Sequence, residues 1–239
     1  MDCIRKQRIS NVSVPIMSSL FVMMLISVST YFESYPKESQ YALDYTSMYK
    51  TEIETIKKYL SLEDARLAMC IVAPEVSQYS QMSDAAETFA LYTLYVQGRV
   101  SDFSIGVFQM KPSFAVSIEE EVKKCDYLKK YRKLIIHKSN ERLVRCERVE
   151  RLSSLDWQIL YLCAFVEIAQ VKTSDMDFSN IEEKLKYWAT LYNAGLHVSE
   201  NKIYGLYDID GFPKFSSNSF NYADICIEFY RNKKYCPYL

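Results

Sequence analysis

Backbone breaks are rare in this chain. Five glycines and six prolines are spread over 239 residues, well under half the usual usage of about 12%. A sandwich or propeller of many short strands needs turn residues every few positions. A disordered chain needs far fewer apolar residues than the 49% found here. Helices tolerate long unbroken runs and use glycine and proline mainly at their ends. The chain is also long enough to bury a sizeable core. The predicted class is all-α.

The helices can be placed in order. Residues 31–40 are polar, contain Pro36, and read as a lead into a helix over 41–59. Ser61, three positions before Asp64, opens a second helix over 62–79 with a capping-box spacing. A third covers 84–96 and is closed by Gly98. Residues 99–108 form a loop, and 113–133 are helical. The stretch 140–151 is dense in charge and reads as a solvated helix face, with an interaction surface as the alternative. Residues 155–171 form a strongly apolar, buried helix. Residues 181–194 form another, stopped by Gly195. A loop with Gly205, Gly211 and Pro213 precedes a last helix near 221–231.

The N-terminus reads as an address. Arg5, Lys6 and Arg8 precede an apolar run over 14–28, short for a membrane span of roughly 20 residues. Ser27, Val28 and Ser29 supply the small residues of a cleavage site. Residues 1–29 are thus a signal peptide, or an uncleaved membrane anchor as the alternative. Export to the periplasm or cell envelope follows. Residues 30–60 are then an N-terminal lead and helix, and 61–239 the main domain, with a helical insertion near 119–151. Cys3 lies ahead of the apolar run, so a lipoprotein signal is not indicated. Of the other six cysteines, Cys70 and Cys163 sit in apolar helical runs as small core residues. Cys226 and Cys236 are the first pair to expect as a disulfide, although sequence does not choose among the pairings.

A formal net charge of −1 excludes a bulk electrostatic nucleic-acid binder. Two histidines, His137 and His197, are too few for a multi-histidine metal site. One carboxylate stands out. Steps of four in the second helix give Leu67, Ile71, Glu75 and Tyr79, so Glu75 interrupts an apolar stripe. Burial raises a carboxyl pKa and makes it a proton donor at neutral pH. Pro74 beside it removes a backbone bond, so the helix is expected to bend or end there. A boundary glutamate at the stripe's edge is the plainer alternative.

Two further segments bear on that choice. One runs from Gly106 through Gln109, Met110, Lys111 and Pro112 to Ser113. The other is Ala189-Thr190-Leu191-Tyr192-Asn193-Ala194-Gly195. Together with the run from Ala68 to Glu75, and in this order, they resemble soluble lytic transglycosylases of the goose-type lysozyme superfamily. That family shows a glutamate near a helix end, then Gly-x-(Met/Phe)-Gln-x-x-Pro-Ser, then Ala-Tyr-Asn-Ala-Gly. The resemblance covers roughly residues 62–196. The family places serine directly after the glutamate, where this chain has Val76 followed by Ser77.

The resemblance implies a lysozyme-like helical domain acting on peptidoglycan glycan strands. Glu75 would be the single acid/base, cleaving between N-acetylmuramic acid and N-acetylglucosamine and leaving a 1,6-anhydro end. Gln109 and Met110 would line the sugar subsite, Tyr192 would lie beside the carboxyl, and Asn193 would hold substrate or local structure. No metal or organic cofactor is implied, and no nucleic acid. A two-carboxylate hydrolase would need a second acid; the candidates are Asp84, Glu87 and, best placed, Asp102, whose plainer role is a loop or capping hydrogen bond. A binding protein without turnover, or an envelope scaffold, is the alternative of another class.

Overall fold

Short polar side chains start several of the helices. In the computed structural model, which describes residues 29–79, 85–99, 102–214 and 216–239, Thr30 and Glu33 form a reciprocal capping box. It opens α1 (Tyr31–Ser34), and Pro36 at the first position opens α2 (Pro36–Met48). After α3 (Lys50–Glu54), Ser61 accepts from the Asp64 N–H at 3.1 Å and starts α4 (Leu62–Gln78). α5 (Ala85–Val96) and α6 (Pro112–Lys124) follow. Asn140, Asn180 and Asn221 cap α7 (Glu141–Leu152), α9 (Ile181–Ala194) and α11 (Tyr222–Arg231) in the same way. α8 (Leu155–Lys172) and the short α10 (Glu200–Tyr204) complete the set. Among the described residues there is no β-strand, only two isolated bridges.

α4 is buried along most of its length and packs against α2, α8, α9 and α11. α8 is apolar on nearly every face, as a helix surrounded by protein must be. Among the described residues no single helix is long and apolar enough to cross a membrane. The expected signal or anchor over 1–29, and Cys3, lie outside the described residues except for Ser29.

Several expectations are corrected. The lead over 31–40 is helical, and Tyr31 is fully buried. Its hydroxyl meets Ser77 Oγ at 2.6 Å and accepts from Gln78 Nε2 at 2.8 Å, pinning the lead under the end of α4. The helix expected over 41–59 breaks at Tyr49 and finishes as a 3₁₀ turn over Thr55–Lys58. The one expected over 113–133 stops at Lys124 and continues as a 3₁₀ helix, Asp126–Leu134. There Leu128, Tyr131 and Leu134 are all buried, a spacing of three that suits 3₁₀ geometry.

The charged stretch 140–151 is a solvated face only in part: Asn140 to Leu143 and Glu150 are exposed, but the end of the helix turns inward. Arg148 and Arg151 are buried with Val149 and Leu152. Arg148 forks onto Glu119 of α6 at 2.9 and 2.7 Å, and the Tyr161 hydroxyl donates to the same carboxylate at 2.8 Å. Arg151 donates to the Leu134 carbonyl at 2.7 Å. Cys226 and Cys236 do not form a disulfide: Cys226 points from α11 to the Ile71 carbonyl, and all six described cysteines are free. Cys70 and Cys163 are buried in the core.

Candidate functional site

Glu75 sits in the last turns of α4, half-buried in a run whose neighbours are fully enclosed. The helix does not end at Pro74 but continues to Gln78. Side chains from the C-terminal region support the turn before the proline. The Tyr222 hydroxyl donates to the Ile71 carbonyl at 2.9 Å, and the Tyr235 hydroxyl to that of Met69, also at 2.9 Å. Such outside donors hold carbonyls close to the bond that proline removes. Burial pushes the Glu75 carboxyl up to about 8, against the downward pull of Lys214 and Lys111. At neutral pH the group is mostly protonated.

The second element is the turn from Ile105 to Met110. These two residues exchange backbone hydrogen bonds at 3.0 and 3.1 Å, closing a tight loop. Gly106 has φ +67°, and a Cβ there would lie 2.4 Å from both Gln158 Nε2 and the Leu152 carbonyl. Gln158 of α8 braces the loop from beneath. Its Oε1 accepts from the Phe108 N–H at 3.2 Å and its Nε2 donates to the Ile105 carbonyl at 2.7 Å. Gln109 takes φ +48°. Its Nε2 donates to the Gly106 carbonyl at 2.6 Å, which orients the amide. The other end, Oε1, is buried and without a hydrogen-bond partner. A buried acceptor of this kind calls for a donor.

Asp102 and the start of α6 come next. Asp102 accepts from the Ser113 N–H at 3.1 Å and the Ser113 hydroxyl at 2.8 Å, so it caps the helix entrance. Met110 is buried at the end of the loop.

The third element is the end of α9. Tyr192 donates to the Phe108 carbonyl at 2.8 Å, tying this helix to the Gln109 loop. Its ring meets Phe114 and Phe165 edge-on, at 5.0 and 5.3 Å between centroids. Burial first, and then the nearby Glu75 carboxyl, hold its hydroxyl well above the ordinary tyrosine pKa, so it stays neutral. Asn193 is exposed at the margin. Gly195, at φ +103°, ends the helix.

These elements enclose one groove of about 760 Å³. Glu75, Asp102, Gln109, Met110, Tyr192 and Asn193 all line it. Asp84 lies outside the described residues, as does the side chain of Glu87. Sequence reasoning missed two participants. Lys214 reaches the groove from the chain that follows α10, and nothing local to it signals that position. Gln158 was legible in principle, since a polar residue inside a buried apolar helix is the same kind of interruption as Glu75. Among the described residues no cluster of three side chains suits a metal ion.

The arrangement offers a proton donor, an orphaned acceptor and two cations along one open groove. It can hold a polar, extended ligand and move a proton at one point of it. No protein-family model, curated protein or solved structure matches the chain.

Proposed function

We propose that this protein is a peptidoglycan lytic transglycosylase with a lysozyme-like fold, exported to the periplasm or cell envelope. The observation that carries the reading is Glu75: a carboxyl that accepts no hydrogen bond from a described side chain, lining an open groove and kept protonated at neutral pH by burial. Glu75 protonates the glycosidic oxygen as its bond to the muramyl anomeric carbon breaks. As a carboxylate, it then takes the proton of the muramyl 6-hydroxyl while that oxygen bonds to the same carbon. The acid is regenerated, and a 1,6-anhydro ring is left. The nucleophile belongs to the substrate, so one carboxyl is enough.

Asp102 supports a single acid over a two-carboxylate hydrolase, because both of its oxygens already accept hydrogen bonds from Ser113. The orphaned Oε1 of Gln109 fits an N-acetyl N–H or a sugar hydroxyl. Val76 in the place of the family's serine favours one other reading, a groove that binds glycan without turnover.

The test is mass spectrometry of purified residues 30–239 incubated with peptidoglycan. Anhydro ends support the proposal, reducing ends indicate a hydrolase, and binding without products indicates the second reading. N-terminal sequencing of the native protein tests export: a start near Thr30 is expected, whereas an intact Met1 on membrane material supports the anchor.

A further inference from the structure

Two ammonium groups in the groove make no hydrogen bond or ion pair within the described structure. Lys111 immediately precedes α6, and Lys214 stands in the loop before α11. Both line the groove, and both act electrostatically on Glu75. Neither forms an ion pair with any described residue, so each ammonium is free to meet a ligand. The nearby acids offset them only in part. Asp102 is one carboxylate, with both oxygens already taken by Ser113, and Glu75 is mostly uncharged at neutral pH. Two lysines against that one carboxylate leave the groove with an excess of positive charge, in a chain whose net charge is −1.

The second observation is the buried, unpartnered acceptor of Gln109 in the same groove. It needs an uncharged donor, such as an amide N–H or a hydroxyl. Every N-acetylated β-1,4 glycan carries such donors, so Gln109 cannot tell one from another. The lysines can. A neutral polymer of N-acetylglucosamine has no carboxylate, while each muramyl sugar adds a lactyl carboxylate or the carboxylates of a peptide stem.

We propose that Lys111 and Lys214 form a carboxylate subsite, so that the groove selects glycan strands bearing muramyl-linked carboxylates over neutral chitin-type strands. This rests on the peptidoglycan reading above and adds its basis for substrate selection. Lysine suits the role because a point charge on a flexible stem can follow a carboxylate whose position varies along the strand.

The test is equilibrium binding by calorimetry in a Glu75→Gln background, which prevents turnover. Three probes are used: chitohexaose, strands stripped to free lactyl carboxylates, and strands with intact stems. At low salt the anionic strands are expected to bind at least several-fold tighter than chitohexaose. Lys111→Gln and Lys214→Gln should each remove roughly 3–5-fold of that advantage and leave chitohexaose unchanged. Added salt should narrow the gap. A gap for only one anionic strand supports the proposal and identifies which carboxylate is read. Equal binding of all three probes, or lysine variants that weaken chitohexaose as much as the anionic strands, overturns the subsite while leaving a glycan groove. Binding of none of the three overturns the peptidoglycan reading itself, and the subsite with it.

Discussion

At the residue scale, Glu75 has opposite effects on reactivity and on stability. Its folded pKa of about 8 lies above the ordinary carboxylate value of 4.5. The folded state therefore holds the proton more tightly than the unfolded state. The associated stability is fully present below about pH 4.5 and is lost as pH rises toward 8. Glu75→Gln lacks this loss. The variant should gain on wild type across that window, by a few kcal/mol at most, read from melting temperatures at several pH values. The same substitution should lower glycan cleavage by about 10²–10⁴-fold or more, since the amide cannot serve as the acid. Wild-type activity should fall above about pH 8 as the acid ionises. Asp102→Asn should reduce cleavage less than about tenfold, because its oxygens serve the α6 entrance. A loss as large as that of Glu75→Gln would show Asp102 to be a second chemical group.

At the element scale, the Gly106–Gln109 turn carries most of the precision of the site. It is closed by the Ile105–Met110 bonds, braced by Gln158 and tied to α9 by Tyr192. Gly106 is required twice over, for its positive φ and for the 2.4 Å approach of Gln158 and the Leu152 backbone. Gly106→Ala should destabilise the protein by about 2 kcal/mol or more, read by denaturant unfolding. It should also displace Gln109 and weaken glycan binding. Gly195 differs: a Cβ there meets nothing within 4 Å, so only its φ of +103° asks for glycine.

At the scale of the whole molecule, the two ends of the segment 119–151 are joined by a buried ion pair, to which Tyr161 of α8 and Tyr95 of α5 add hydrogen bonds. Arg148 and Glu119 are 29 positions apart, are both largely enclosed, and are joined by two hydrogen bonds. Removing one partner leaves an uncompensated charge. Arg148→Met alone should cost about 3–5 kcal/mol in chemical denaturation, while Arg148→Met with Glu119→Leu should recover much of that loss. A solvated charge face would lose almost nothing in either variant. The N-terminal α1 is held in a similar long-range way. Its first N–H, at Tyr31, donates to Glu228 of α11 at 3.0 Å, so the two ends of the described chain share one packing unit.

The helices were legible because they are set by local rules: few breakers, Ser61 as a cap, Gly98 and Gly195 as stops, and an apolar run over 155–171. The bounds of α9 could be read directly, since its period and its glycine stop are local. Glu75 was legible as a carboxyl interrupting an apolar stripe, whereas Gln109 and Tyr192 were legible only through the ordered resemblance of three segments, since each segment alone reads as a plain loop or helix end. Partners distant in sequence were not. Period alone makes Arg148 and Arg151 a solvent-facing stripe, and only the arrival of Glu119 and the Leu134 carbonyl makes their burial tolerable. A polar lead becomes core because Tyr31 finds Ser77 and Gln78. Lys214 acts on Glu75 because both line one groove, although 139 positions separate them in the chain. The sequence by itself determined the all-α class, most of the helices and which residues are chemically unusual, but not the helical lead over 31–40 or the 3₁₀ segments. Tertiary structure decided which charges are buried and what Glu75's pKa is, because desolvation and long-range pairing depend on neighbours that chain order does not reveal.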